Sequence, residues 1–231
     1  MRPMERRLAQ LKTLSSLYRL KRLGMHYRHP AAAPVPAQNL PEDLTRLSAL
    51  IAGCHLCELS KRRRHALGAT GSRQAEIMVV IDAPGAAEDA AGRWFEGRSG
   101  ELLYKMITAG LGLPADEVYL SAALKCHPAG RAPETATLQC APYLGSEIDQ
   151  VRPRVILALG QGAFEMLCGV KEPISSARGR TWPVALTTTH AAVIASFSPA
   201  YLLLNPSSKK AAFEDLQLAL KIAGKRPASE S

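Results

Sequence analysis

The sequence predicts an α/β fold in which a parallel sheet is covered by helices on both faces. Three observations carry that prediction. Short apolar runs rich in β-branched residues recur at Glu76–Asp82, Val118–Leu124, Val155–Leu159 and Ala191–Phe197; such runs are buried strands of a parallel sheet. Helical patterns separate them, as the crossovers of parallel strands require. The first run ends at Ala83-Pro84-Gly85 and passes Gly92, Phe95, Gly97 and Gly100 before a helical pattern opens at Glu101. A strand, a Gly-rich loop and a helix in that order set backbone N–H groups at the carboxyl edge of the sheet, where open α/β sheets bind ligands.

A chain of 231 residues suits one such domain with extensions. It has no apolar run of about 18 residues, so no membrane span is expected. The basic amino terminus is followed by no apolar core or small-residue cleavage site, which argues against a secretory signal and for a cytoplasmic, nucleoid-associated protein. Five cysteines in that setting point to a metal site or buried thiols rather than to disulfides. The net charge of +9 favours a polyanionic partner, nucleic acid first.

Four regions follow in order. Residues 1–29 hold eight Lys and Arg against the single Glu5, with leucine at every third position from Leu8 to Leu23. At 3.6 residues per turn that stripe spirals around a helix. This basic helical arm is either a surface helix, a phosphate-binding arm or a docking helix for a protein partner. Residues 30–41 are a Pro/Ala linker. Residues 42–224 form the folded domain, and 225–231 a polar tail. Within the domain, Pro41-Glu42-Asp43 opens a helix carrying Leu44, Leu47, Leu50 and Ile51. Further helices are expected at Glu134–Gln150 and at Ser208–Ile222, the latter ending at Gly224.

Cys54-x-x-Cys57 has metal-ligand spacing, and Cys126 and Cys140 lie far downstream. Four thiolates suit either a tetrahedral zinc or a [4Fe–4S] cluster; buried thiols beside a chance CxxC are the plain alternative. Cys168 lies in a helical pattern and reads as core. The run Lys61-Arg62-Arg63-Arg64-His65 is a solvated surface or a phosphate clamp.

These pieces together resemble the family 4, iron–sulfur-containing, uracil-DNA glycosylases, from about Cys54 to Ile222. The resemblance rests on the CxxC with its basic stretch, APGxxED at Ala83–Asp89 and Gly92–Gly100 against GxPFxGxSG. It continues through Lys125-Cys126-His127-Pro128, Cys140–Leu144, Arg152–Gly160 against RPxVIxALG, Ile174–Gly179 and Pro199–Leu203. It implies a three-layer α/β/α fold with a central four-stranded parallel sheet. It implies a [4Fe–4S] cluster on Cys54, Cys57, Cys126 and Cys140. It implies DNA, single- or double-stranded, as partner, and hydrolysis of a base N-glycosidic bond after the base is flipped from the stack. Asp82 then stands for the water-positioning acid, and Phe95 stacks the flipped base beside Pro84 and Gly85. Arg62, Arg63, Arg64, Ser99, Tyr201 and Leu203 would face DNA.

The sequence departs from the family where the chemistry lies. The family's GEAPG is Ile81-Asp82-Ala83-Pro84-Gly85 here, with the acid one methylene shorter. Ala122 holds the position of the base-reading Asn, and a methyl group reads no base edge. Ser198 replaces the His of HPAYLLR and Leu204 its Arg; Ser198 fits a helix cap better than a leaving-group stabiliser. Tyr104 stands where the family has Asp. Two functions follow: a glycosylase with weak or altered uracil excision, or a non-catalytic relative that binds nucleic acid or a protein and keeps the cluster as a structural element.

Overall fold

The computed structural model describes residues 40–225. The basic arm at 1–29, and all but the ends of the linker and tail that adjoin the domain, lie outside the described residues.

The chain runs through α1 (Leu44–Ala52), β1 (Thr70–Gly71), β2 (Ile77–Ile81), α2 (Ala86–Ala91), α3 (Gly97–Lys105) and β3 (Tyr119–Ala122). It continues through α4 (Glu134–Val151), β4 (Val155–Leu159), α5 (Gln161–Cys168), α6 (Ile174–Ala177), β5 (Thr181–Pro183), β6 (Ala192–Ser196), α7 (Pro199–Leu204) and α8 (Lys209–Ala223). The strands form one sheet in the order β1-β3-β2-β4-β6-β5. The inner four strands are parallel: β2 pairs with β3 and β4, and β4 with β6. The predicted parallel sheet is therefore present, and each of its four strands falls within the run that predicted it.

Strand β2 shows how the layers arise. Successive side chains of a strand point to opposite faces. Ile77, Val79 and Ile81 pack into a core with Leu103, Ile107, Leu216 and Leu220 of the α3 and α8 side. Met78 and Val80 pack into a second core with Leu47, Ile51, Leu144, Ile148 and Phe164 of the α1, α4 and α5 side. A strand buried on both faces needs apolar residues at every position, which is why IMVVI shows no alternation. Among the described residues no helix is long and apolar enough to cross a membrane.

The sheet is wider than predicted. β1 and β5 add one antiparallel strand at each edge. With two and three residues and no apolar run, neither gives a periodic signal. Pro183 can lie in β5 because an edge strand has a free side. The loop after β2 also holds a helix the sequence did not announce. α2 is a single Ala-rich turn and a half, closed at its carboxyl end by Gly92 at φ 69°.

One polar network crosses the second core. Lys125 is 2% exposed, and its Nζ donates to Glu147 Oε2 at 2.8 Å and to Ser121 Oγ at 2.7 Å. Ser121 Oγ in turn donates to the same Glu147 oxygen at 2.6 Å. The network ties β3, which leads to Cys126, to α4, which carries Cys140. Removing one member of a buried ion pair strands the other charge. Lys125→Met is therefore expected to lower stability by about 3–5 kcal/mol in urea unfolding, and Lys125→Met with Glu147→Leu to restore most of it. A double variant as unstable as the single one would show that the pair itself, not the stranded charge, holds the elements together.

Candidate active site

Because the inner strands are parallel, the residues that follow each of them meet at one edge of the sheet. Asp82, Pro84 and Gly85 follow β2, Ala123 to His127 follow β3, Gly160 to Gly162 follow β4, and Phe197 and Ser198 follow β6.

Asp82 is turned toward the first turn of α5. Its Oδ1 accepts the Ala163 N–H at 2.7 Å. Burial pushes its carboxyl above the ordinary aspartate value; the Ala163 and Gly162 amides oppose that rise, and Glu165 adds slightly to it. The approach depends on Gly160. Its φ is +124°, and a Cβ built there would lie 2.2 Å from Asp82 Oδ2. The sequence placed Asp82 at this edge, but its lock onto α5 comes from a loop some 80 residues away that no local pattern reports.

Phe95 adopts φ 69°, rare for a residue with a Cβ. Its N–H donates to Glu88 Oε1 at 3.1 Å, and its ring meets Tyr104 edge-on at 5.3 Å. Tyr104, a departure from the family pattern, thus packs on the candidate stacking residue. Gly100 passes so close that an added Cβ would lie 2.4 Å from the Phe95 carbonyl carbon. Glu88 and Asp89 are both buried. The sequence marked them only as part of a motif; two carboxylates in a Gly-rich loop gave the available signal. Ala122 is fully buried in the core cluster and offers no polar atom.

Ser198 Oγ accepts the Tyr201 N–H at 3.3 Å and caps α7. Tyr201 is exposed and stacks on Phe197, with ring centroids 4.8 Å apart. Leu203 is half-buried, whereas Leu204 is 84% exposed. Ser99 lies in the first turn of α3, which packs on α7. Below Phe197, Arg178 grips Asp215 with two hydrogen bonds of 3.0 Å, and Ser196 Oγ donates to the same carboxylate.

The cysteines gather beside this edge. Cys57, Cys126 and Cys140 share one small apolar cluster with Leu59, Leu124 and Ala136. Cys54 packs on the second core instead, within hydrogen-bonding reach of Tyr143, and Arg63 links it to Cys126. Burial raises the Cys126 thiol; Arg63 opposes the rise, and Cys57 and Cys54 add to it. Burial likewise pushes Cys140 up to about 11, against the Lys125 amide and ammonium. Cys168 is elsewhere, in the core as expected, with its thiol pushed up to about 12 by burial alone. Among the described residues no three His, Cys, Asp or Glu side chains are grouped as ligands of one metal ion.

The basic run splits. Arg63 turns inward, donating from Nη1 to Cys126 Sγ at 3.2 Å and from Nη2 to the carbonyls of Cys54 at 2.5 Å and Ala52 at 3.4 Å. It serves the cysteine site, whereas Arg62 and Arg64 are exposed. His65 Nδ1 pairs with the Asp89 carbonyl at 2.7 Å, and His127 Nδ1 with the Pro84 carbonyl at 2.9 Å. The His127 contact joins the third cysteine's loop to the candidate base loop; the sequence brought the two to one edge without showing the bond.

A three-layer α/β/α fold with this carboxyl-edge constellation belongs to a known class of protein. A sequence model of the Uracil DNA glycosylase superfamily matches residues 69–219, and the chain belongs to that superfamily. It is 31% identical to the Type-4 uracil-DNA glycosylase of Saccharolobus solfataricus over 192 residues, 80% of this chain and 89% of the relative. It is 30% identical to the Type-4 enzyme of Archaeoglobus fulgidus over 191 residues, 80% of this chain and 96% of the relative. A Type-5 uracil-DNA glycosylase of Mycobacterium tuberculosis is 30% identical over 159 residues, 54% of this chain and 59% of the relative.

Gly160→Ala is expected to push the Asp82 carboxylate off the Ala163 amide and to strain the backbone at φ +124°. The loss should be at least about 1 kcal/mol in thermal or urea unfolding. An unchanged melting temperature would mean that the Asp82–Ala163 bond contributes nothing to stability.

Proposed function

We propose that this chain is a uracil-DNA glycosylase of the iron–sulfur type, hydrolysing the N-glycosidic bond of uracil in DNA as the first step of base excision. The observation that carries the proposal is the edge constellation itself. A half-buried carboxylate, Asp82, a constrained aromatic, Phe95, and the Pro84–Gly85 loop all follow strand β2 at the carboxyl edge. The chain resembles Type-4 enzymes over four-fifths of its length.

In this mechanism the flipped base stacks on the Phe95 ring, and the Pro84–Gly85 loop closes against the nucleotide. Asp82 commits Oδ1 to Ala163, which leaves Oδ2 to accept a proton of the attacking water and to orient its oxygen toward the sugar carbon. Ser198 Oγ accepts from Tyr201, and a hydroxyl both accepts and donates, so its O–H remains to hydrogen-bond the departing base. Outright loss of a leaving-group donor costs ~10²–10³ in rate, and a single hydroxyl in place of an imidazole recovers part of that. Excision slower than in His-bearing relatives is part of the proposal. Arg62, Arg64 and Tyr201 are exposed, which supports their contacting DNA in this reading.

Cys54, Cys57, Cys126 and Cys140 would hold a [4Fe–4S] cluster that braces the loops around the site. The donor set fits by its chemistry: four cysteines are the usual ligands of such a cluster, three of them share one apolar pocket, and Arg63 links Cys54 to Cys126. The Arg63 guanidinium on Cys126 and the Lys125 amide on Cys140 offset the negative charge that four thiolates bring.

Two measurements test this. Protein purified without oxygen should be brown and carry iron; a colourless protein loaded with zinc refutes the cluster. With enzyme in excess over a uracil oligonucleotide, single- or double-stranded, abasic product should form, and Asp82→Asn should slow it at least ~10²-fold. Because Asp82 must be ionised to hold the water, the rate should fall as pH drops through its raised pKa. The acid limb of a single-turnover pH profile then lies above the range of an ordinary aspartate. DNA binding with no product at any pH would leave the chain a binding protein instead.

A further inference from the structure

Glu88 has been given no part in the mechanism, yet it is among the most constrained carboxylates of the domain. It is 3% exposed and lies in α2, between the two halves of the candidate base pocket. Its two oxygens serve different loops. Oε2 accepts the Gly85 N–H at 2.8 Å, and Oε1 accepts the Phe95 N–H at 3.1 Å. Burial pushes its carboxyl above the ordinary glutamate value, and the Gly85 and Phe95 amides oppose the rise, ahead of a small upward push from Glu96.

Its neighbour fixes the helix from the other side. Asp89 accepts the Arg64 N–H with Oδ1 at 3.0 Å and the His65 N–H at 3.2 Å. The basic run therefore anchors α2, and Arg63 of the same run is bonded to Cys126 and to the Cys54 carbonyl. A helix of six residues with one carboxylate on each side thus joins the cysteine site to both walls of the pocket.

The backbone at Phe95 explains what such a clamp is for. A residue with a Cβ does not rest at φ 69° without support. The support comes from two sides: the Glu88 oxygen that takes its N–H, and Gly100, whose missing side chain admits the Phe95 backbone. Release of the N–H removes one of these two supports and frees the Phe95 backbone, and with it the ring, to take up another position.

We infer that Glu88 is the positioning residue of the base pocket, one carboxylate whose two oxygens set the gap between the Gly85 amide and the Phe95 ring and so fix the width of the slot that accepts a flipped planar base. This rests on the proposed function. It assigns base capture to a residue that touches neither base nor water. Glutamine cannot replace it. An amide keeps one accepting oxygen and presents an N–H₂ group, a donor, to the second N–H. Glu88→Gln thus breaks one of the two bonds while keeping size and shape.

The test uses the full-length protein with its metal site as purified and two single-stranded oligonucleotides. One carries a uracil nucleotide made resistant to hydrolysis by fluorine on its sugar, the other thymine at the same position. Wild type should bind the uracil strand more tightly. Glu88→Gln should lose about tenfold of that preference, with affinity for the thymine strand and iron content unchanged. Phe95→Ala should lose the preference as well, and the double variant should lose no more than Phe95→Ala alone, since Glu88 acts through that ring. Losses that add in the double variant, or a Glu88→Gln variant with intact preference, overturn the inference. Absence of any preference in wild type overturns the proposed function and the inference with it. If Glu88→Gln does not fold, amide hydrogen exchange of wild type decides. The Gly85 and Phe95 amides should be protected to a similar degree, and a Phe95 amide exchanging as freely as an unbonded loop amide refutes the clamp.

Discussion

Parallel strands cannot be joined by tight turns, so every connection in the inner sheet must cross from one edge back to the other. That constraint sends each strand's carboxyl end to the same edge. Asp82, Gly160 and Ser198 lie far apart in sequence, yet all follow strands of the one sheet within a residue or two. The two apolar cores on either side of IMVVI hold the strands in register, and the edge inherits their rigidity. Chemistry that depends on sub-ångström placement has a firm base there.

Rigid strands do not by themselves fix the loops between them; here three carboxylates do, Glu88 and Asp89 buried and Asp82 half-buried. Asp82 ties the end of β2 to the start of α5, Glu88 ties two parts of one long loop, and Asp89 ties that loop to the basic run. Each takes backbone N–H groups that would otherwise be unsatisfied in a buried loop. Each carboxylate also bears a desolvation cost, visible in the raised pKa of Asp82 and Glu88. A cost of this kind persists where the geometry is needed. The constrained Phe95 backbone tells the same story, since strain survives only when its surroundings over-determine it.

The apolar and helical patterns made the inner sheet and its covering helices legible. Val155–Leu159 is the clearest case, where the predicted and observed strands coincide. The family motifs located the edge residues as well. What the sequence withheld is of two kinds. β1 and β5 are too short for a period to form, and their existence depends on neighbours already in place. Long-range polar contacts were equally silent. No pattern near Arg63 says that it, and not Arg62 or Arg64, turns in to Cys126. Nor does the sequence near Lys125 show that its ammonium lies buried on Glu147. Side-chain direction in a loop is set by tertiary partners, and a run of like residues conceals which one has them.

The departures at Ala122 and Ser198 can be weighed against this scaffold. Ala122 is sealed in the core and Ser198 caps a helix, so both positions are structurally satisfied without a substrate. Asp82 locked onto α5, Gly160 at φ +124° and an aromatic held off its preferred backbone give the edge a constrained geometry. The strain at Phe95 is the part that the packing of the sheet does not itself call for. It supports the proposed reading of an edge that receives a nucleotide. Under the proposed mechanism, selectivity shifts from hydrogen bonds that read the base edge to the shape of the slot between Pro84–Gly85 and Phe95. Shape discriminates less sharply than buried polar readout. In a pocket of this design the width of the slot, and hence the residues that hold Phe95, set how far uracil is preferred over other bases.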